Sequence, residues 1–185
     1  MRVLAISGSL RAASHNTALL RHAAEQAPEG IDVELYGGLE SLPPYNEDRD
    51  TDTPPAAVAE MRREVAEADA LLISTPEYNG TLPGQLKQLV DWASRPYGPA
   101  AALYGKPVAV IGASITDYGA LWAQDHLRKA LGIAGARVVE ADLPVGRAGE
   151  KFDGDGRLTD EEIIEKIDDV LETLRDHFEV LAAAA

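Results

Sequence analysis

Five short apolar runs alternate with longer stretches of helical periodicity, and few architectures accommodate that pattern. The runs are Val3 to Ile6, Val33 to Tyr36, Ala70 to Ser74, Pro107 to Gly112 and Arg137 to Glu140. The central ones are nearly unbroken apolar stretches, as strands covered by helices on both faces must be. Between and after them, helices are expected over about Ser14 to Gln26, Pro55 to Glu67, Pro83 to Ala93, Gly119 to Leu131 and Thr159 to Leu181. The last opens with Thr159 and Glu162 at capping-box spacing and carries Ile163, Ile164, Ile167, Val170, Leu171, Leu174 and Phe178 along one stripe. Strands that alternate with helices in this way form βαβ units and a parallel sheet.

A chain of 185 residues with 45% hydrophobic content can bury a sizeable core, and residues 1–185 read as a single α/β domain. The expected fold is a doubly wound five-stranded parallel sheet with helices on both faces and the flavodoxin-like strand order 2-1-3-4-5. That order places a ligand crevice at the carboxyl ends of strands 1, 3 and 4.

Composition removes several functions. With no cysteine there is no disulfide, no thiolate metal site and no thiol nucleophile, so redox chemistry has to come from a bound cofactor. Seventeen Lys+Arg against 31 Asp+Glu give a net charge of −14, which disfavours binding to nucleic acid or to an anionic membrane surface. The amino terminus has no signal-peptide core and no stretch approaches the roughly 18 apolar residues of a membrane span, so a cytoplasmic location is expected. His15, His22, His126 and His177 are scattered without ligand spacing, so no metal site is expected.

The unusual residues fall at the predicted rim. After the first run comes Ser7-Gly8-Ser9-Leu10-Arg11-Ala12-Ala13-Ser14-His15-Asn16-Thr17, which offers amides, hydroxyls and a guanidinium at a helix amino end. It suits a phosphate, and equally a serine-rich turn with Ser14 or Asn16 as N-cap. Neither G-x-G-x-x-G nor the P-loop pattern is present. After the third run, Pro76-Glu77-Tyr78-Asn79-Gly80 lies between fixed prolines, and Asn79-Gly80 favours a tight turn. After the fourth comes a polar loop from Ser114 to Gly119.

These motifs, with Gln124-Asp125-His126-Leu127-Arg128 on the fourth helix, resemble the NADPH-dependent FMN reductase family, which includes quinone, azo-dye and chromate reductases. The resemblance implies non-covalent FMN, NADPH or NADH as co-substrate, and a homodimer or homotetramer. It also implies a ping-pong transfer of hydride from NAD(P)H through FMN to a small-molecule electron acceptor. Ser9, Arg11, Asn16 and Thr17 would hold the phosphate, with Ser14 in the same motif. Pro76, Glu77, Tyr78, Asn79 and Gly80 would border the isoalloxazine ring, with Ser114 near its edge. Ile115-Thr116-Asp117 and Trp122 depart from the family's usual third loop and fourth helix.

Other segments receive plainer readings. Pro43 to Pro55, with Glu47, Asp48, Asp50 and Asp52, reads as a solvated surface loop. Trp92 reads as core, while Tyr97, Tyr118 and Trp122 read as interface or pocket rim. Asp153 to Glu162 imitates the end of a calcium loop, but its opening ligand position is Lys151, so a turn before a capped helix is expected. A flavodoxin-like electron carrier, and a scaffold without cofactor, are the alternative functions.

Overall fold

Along the first strand, side chains alternate between two separate cores. In the computed structural model, which describes residues 1–184, β1 (Arg2–Ser7) sends Val3 and Ala5 to one face and Leu4 and Ile6 to the other, all fully buried. That period-2 alternation with apolar residues on both sides is what a central parallel strand requires. β2 (Asp32–Leu35) and β3 (Ala70–Ser74) flank β1, and β4 (Pro107–Ala113) pairs with β3. The parallel order is β2-β1-β3-β4-β5, as expected.

Helices cover both faces. α1 (His15–Glu25) and α5 (Glu161–Ala183) bury Leu19, Leu20, Val170 and Leu174 with Val3, Leu72 and Ala109. On the other face α2 (Ala56–Glu67), α3 (Gly84–Ala93) and α4 (Leu121–Ile133) bury Val58, Met61, Leu89 and Leu127 with Leu4, Leu71 and Val108. Among the described residues no helix is long and apolar enough to cross a membrane.

The far edge differs from the expectation of one strand over Arg137 to Glu140. β5 spans only Arg137–Val138, the chain bulges through Val139 to Asp142, and a sixth strand, β6 (Leu143–Val145), resumes pairing with β4 in the same direction. Leu143 and Val145 are buried on either side of exposed Pro144, a pattern too short to stand out in the sequence. Proline is tolerated there because edge strands need not donate on their open side.

Two local readings also change. α5 is capped by Asp160 rather than Thr159: the Asp160 carboxylate accepts from the Ile163 amide at 3.2 Å and meets Lys151 Nζ at 2.5 Å. Thr159 is occupied instead by Lys151, whose carbonyl accepts from the Thr159 amide at 3.0 Å. The segment from Pro43 to Pro55 is only partly solvated. Trp92 is fully buried and donates through its indole N–H to the Pro43 carbonyl at 2.9 Å, with Tyr45 edge-on to its ring. Arg62 meets Asp50 at 2.7 Å, and both side chains are mostly buried. Glu47, Asp48 and Asp52 are exposed, as expected.

That latch gives a direct stability test. Trp92→Phe keeps an aromatic ring in the core but leaves the Pro43 carbonyl without its donor, at a cost of about 1–3 kcal/mol in urea unfolding. An unchanged midpoint would show that the 43–55 segment is not held through Trp92.

Candidate active site

Asn16 lies where three rim loops converge. From the first turn of α1, its fully engaged amide oxygen accepts from the Ala113 amide at 2.9 Å and from the Ser74 hydroxyl at 2.8 Å, while its nitrogen donates to the Ala113 carbonyl at 3.0 Å. One buried side chain therefore ties α1 to the carboxyl ends of β3 and β4. The Gly8 amide adds a bond to the Ser74 carbonyl at 2.8 Å, where a Cβ would come within 2.9 Å of Leu86.

The β1–α1 loop is bonded from within. Ser14 caps α1, its hydroxyl accepting from the Thr17 amide at 3.3 Å, so the first of the two expected caps is the one used. The Thr17 and Ser7 hydroxyls are 2.7 Å apart, and Ser9 Oγ accepts from the Arg11 amide at 3.4 Å. Ser9 and Ser14 are buried, while Arg11 is exposed and has no ion pair among the described residues. In an acidic protein, a guanidinium without a carboxylate partner beside a helix amino end is equipped to take an anion.

The loop after β3 is a miniature hairpin. Tyr78 and Thr81 exchange backbone hydrogen bonds of 3.0 and 3.2 Å around Asn79 (φ 53°) and Gly80 (φ 76°). Two consecutive positive φ angles are the signature of a type I′ turn, which Asn-Gly fills at low cost. Pro76 is buried at its base, and Tyr78 and Asn79 are exposed at its tip. Glu77 reaches sideways: its carboxylate accepts from the Ala123 amide at 3.2 Å, so it takes a free donor at the start of α4.

The third loop is held on two sides. The Ser114 amide donates to the Val145 carbonyl at 3.0 Å, and the Arg147 amide to the Thr116 carbonyl at 2.8 Å. Within the fold, Gln124 is completely buried; its nitrogen donates to the Gly119 carbonyl at 2.8 Å and its oxygen accepts from Arg128 at 2.9 Å. Arg128 also donates to the Val110 carbonyl at 2.9 Å and pairs with Asp142 at 2.7 Å, which ties α4 to β4 and to the bulge between β5 and β6. Ser114 is half-buried, its hydroxyl 2.9 Å from that of Thr116. Tyr118 and Trp122, both exposed, stack with ring centroids 6.0 Å apart, and Trp122 lies against the Gly80 turn.

The structure thus brings Ser9, Arg11, Ser14, Asn16, Thr17, Pro76, Glu77, Tyr78, Asn79, Gly80 and Ser114 to one end of the sheet. The side chain of Asn16 is committed to the fold, and that of Glu77 to α4. Sequence reasoning passed over Gln124 and Arg128 as side chains with work of their own. Their i,i+4 spacing on α4 was the available signal. It also missed Ser7 as the partner of Thr17. Among the described residues no group of His, Asp and Glu is arranged to hold a metal ion.

This strand order, with polar loops gathered at the carboxyl ends of β1, β3 and β4, defines a flavodoxin-like protein. The profile of the NADPH-dependent FMN reductase family matches residues 1–150. An NAD(P)H-dependent FMN reductase of Pseudomonas aeruginosa is 40% identical over 176 residues, covering 95% of this chain and 94% of its own. A quinone reductase of Pseudomonas putida is 36% identical over 166 residues, 85% of this chain and 84% of its own. The solved structure of FerB, a flavoenzyme NAD(P)H:(acceptor) oxidoreductase from Paracoccus denitrificans, superimposes with a TM-score of 0.84 at 32% identity, over 95% of this chain and 98% of that one. The chain belongs to the NADPH-dependent FMN reductase family. It is an FMN-dependent oxidoreductase that uses NAD(P)H.

Two histidines on α1, His15 in its first turn and His22 in its last, make stability depend on pH. Burial, then the Arg11 charge, holds the His15 imidazole below its ordinary value of 6.5. Burial likewise lowers His22, whose Nε2 has no partner, against the opposing pull of Asp168 and Glu25. A lowered folded value means the unfolded chain binds more protons, so stability is present above about 6.5 and is lost as pH falls through that value toward the folded ones. Urea midpoints should therefore drop between pH 7.5 and 5.5, and His15→Gln with His22→Gln should flatten the dependence. A wild-type midpoint insensitive to pH over this window would contradict it.

Proposed function

We propose that this single-domain protein binds FMN across the three rim loops and passes reducing equivalents from NAD(P)H to a quinone, a free flavin or a similar small acceptor in a ping-pong cycle. The observation that carries the reading is the convergence, through Asn16, of an unpaired Arg11 at a helix amino end with a rigid type I′ turn on the same rim. The donors present fit a flavin phosphate. Arg11, the amides at the start of α1 and the hydroxyls of Ser9, Ser14 and Thr17 supply charge and hydrogen bonds to an anion.

Bound FMN supplies the hydride and electron transfer. The protein's share is position and electrostatics. Arg11 offsets the phosphate charge in a protein that carries −14 overall. Asn16 fixes the distance between the phosphate loop and the ring loops. The stiff Pro76–Gly80 turn would offer backbone N–H groups to the ring of bound FMN, and Ser114 would border its edge. Glu77 holds the turn against α4, a positioning role rather than proton transfer. Tyr78, Tyr118 and Trp122 border the space left for nicotinamide and acceptor.

We place the enzyme in the cytoplasm as a homodimer or homotetramer. Exposed Trp122 and Ile133 on α4 and Tyr97 nearby in sequence to α3 support pairing of copies on that side. FMN-loaded protein should oxidise NADPH or NADH steadily with a benzoquinone as acceptor. Turnover that appears only after a separate reductase is added would make the protein an electron carrier instead. Gly80→Val, which forces a β-branched residue to positive φ at about 1–2 kcal/mol, should weaken FMN binding or turnover several-fold. An unaffected variant would remove this turn from the site.

A further inference from the structure

Asparagine followed by glycine is chemically labile, because a residue without a side chain leaves its nitrogen open to attack the neighbouring amide. The chain has three asparagines. Asn16 is buried, precedes Thr17 and has its side chain fully bonded. Asn46 precedes Glu47, and its side chain accepts from the Asp48 amide at 3.0 Å. Asn79 alone precedes a glycine, and it is exposed at the tip of the rim turn. The Gly80 amide enters no backbone hydrogen bond among the described residues, so its nitrogen is free to act as a nucleophile.

The reaction is complete within the segment and consumes only water. The Gly80 nitrogen attacks Asn79 Cγ, the Cγ–Nδ2 bond breaks, and ammonia leaves with the Gly80 amide proton, which yields a succinimide. Water then opens the ring. Opening at Cγ gives aspartate, while opening at the main-chain carbonyl gives isoaspartate, whose backbone runs through Cγ and gains a methylene.

The closed turn opposes the first step. A type I′ turn sets ψ of its first central residue near 30°, which places the Gly80 nitrogen roughly 150° from the Asn79 Cβ about the Cα–C bond. Closing a five-membered ring requires the two to be nearly eclipsed, so the peptide has to rotate by most of a half-turn. Two backbone bonds between Tyr78 and Thr81, of 3.0 and 3.2 Å, resist that rotation. The Thr81 hydroxyl is held in addition, 3.0 Å from His126 Nδ1 on α4. Ring closure therefore waits on local opening of the hairpin.

We propose that Asn79–Gly80 is a site of spontaneous isoaspartate formation, that closure of the turn sets its rate, and that bound FMN holds the turn closed. The last clause rests on the turn framing the flavin ring. Either product puts a carboxylate at position 79, and isoaspartate also lengthens the main chain between Tyr78 and Thr81. Both changes act against an anionic cofactor on that rim, so protein without FMN loses its site with age and loaded protein keeps it.

The test is incubation of the apoprotein and the FMN-loaded protein at mildly alkaline pH, with isoaspartate at position 79 followed by peptide mass spectrometry and enzymatic methyl labelling. A free peptide of residues 75–84 gives the rate of the open chain. The apoprotein should convert more slowly than the peptide. Thr81→Pro, which removes the amide that donates to Tyr78, should speed conversion about fivefold. His126→Ala, which frees the Thr81 hydroxyl, should speed it in the same direction and serves if the proline variant does not fold. FMN well above its Kd should slow the wild type about tenfold or more. No conversion at position 79 while the peptide converts overturns the site, and variants that convert at the wild-type rate overturn its control by the turn. FMN that binds without slowing conversion overturns protection by the cofactor. A protein that binds no FMN defeats the functional reading instead, and the peptide and variant rates still decide the modification.

Discussion

A single buried amide holds the candidate site together. Asn16 projects from α1 and bonds both to the last residue of β4 and to the last residue of β3, so the loops after β1, β3 and β4 share one reference point. A parallel sheet brings those loops to one edge but does not by itself fix their separation. The side-chain network does, because buried polar groups with complete partners admit few alternative arrangements. Glu77 and Gln124 repeat the device on the other side, tying the second and third loops to the same helix, α4. The strain of Ala120, at positive φ immediately before α4, is tolerated within that bracing.

Charge and the absence of thiols define what such a frame is for. With 31 acidic and 17 basic residues, an anionic cofactor needs a local exception to the overall field. At the rim that exception is Arg11, beside the amino end of α1 and without an ion pair among the described residues, whereas Arg2, Arg62, Arg63, Arg128 and Arg147 are spent on carboxylates. With no cysteine in the chain there is no thiol store for electrons. Under the proposed function reducing equivalents would then be held by the flavin, and the spacing of the rim loops is what the protein contributes.

The sequence revealed the architecture where its signals were long and the site where its turn chemistry was explicit. β3 was legible to the residue from an unbroken apolar run, and the Asn79-Gly80 turn from the φ preferences of that dipeptide. The broken edge was not: two residues of β5 and three of β6 carry too little periodicity, and Pro144 argues locally against a strand. The partial burial of the 43–55 segment was hidden because its anchors, Trp92 and Arg62, lie on other elements. Asn16 shows the same limit within the site. Its place in the motif was readable, but its partners lie 58 and 97 residues away, and no local pattern distinguishes a phosphate ligand from the strut that spaces the loops.

The claim at the centre is that one rim loop grips the phosphate while the other two frame the ring, and parallel titrations of the apoprotein with FMN and riboflavin, followed by flavin fluorescence, test it most directly. FMN should bind more tightly than riboflavin by about tenfold or more, and Arg11→Ala should erase most of that difference while leaving riboflavin affinity unchanged. Equal affinities for the two flavins in the wild type, or a phosphate preference untouched by Arg11→Ala, would contradict it.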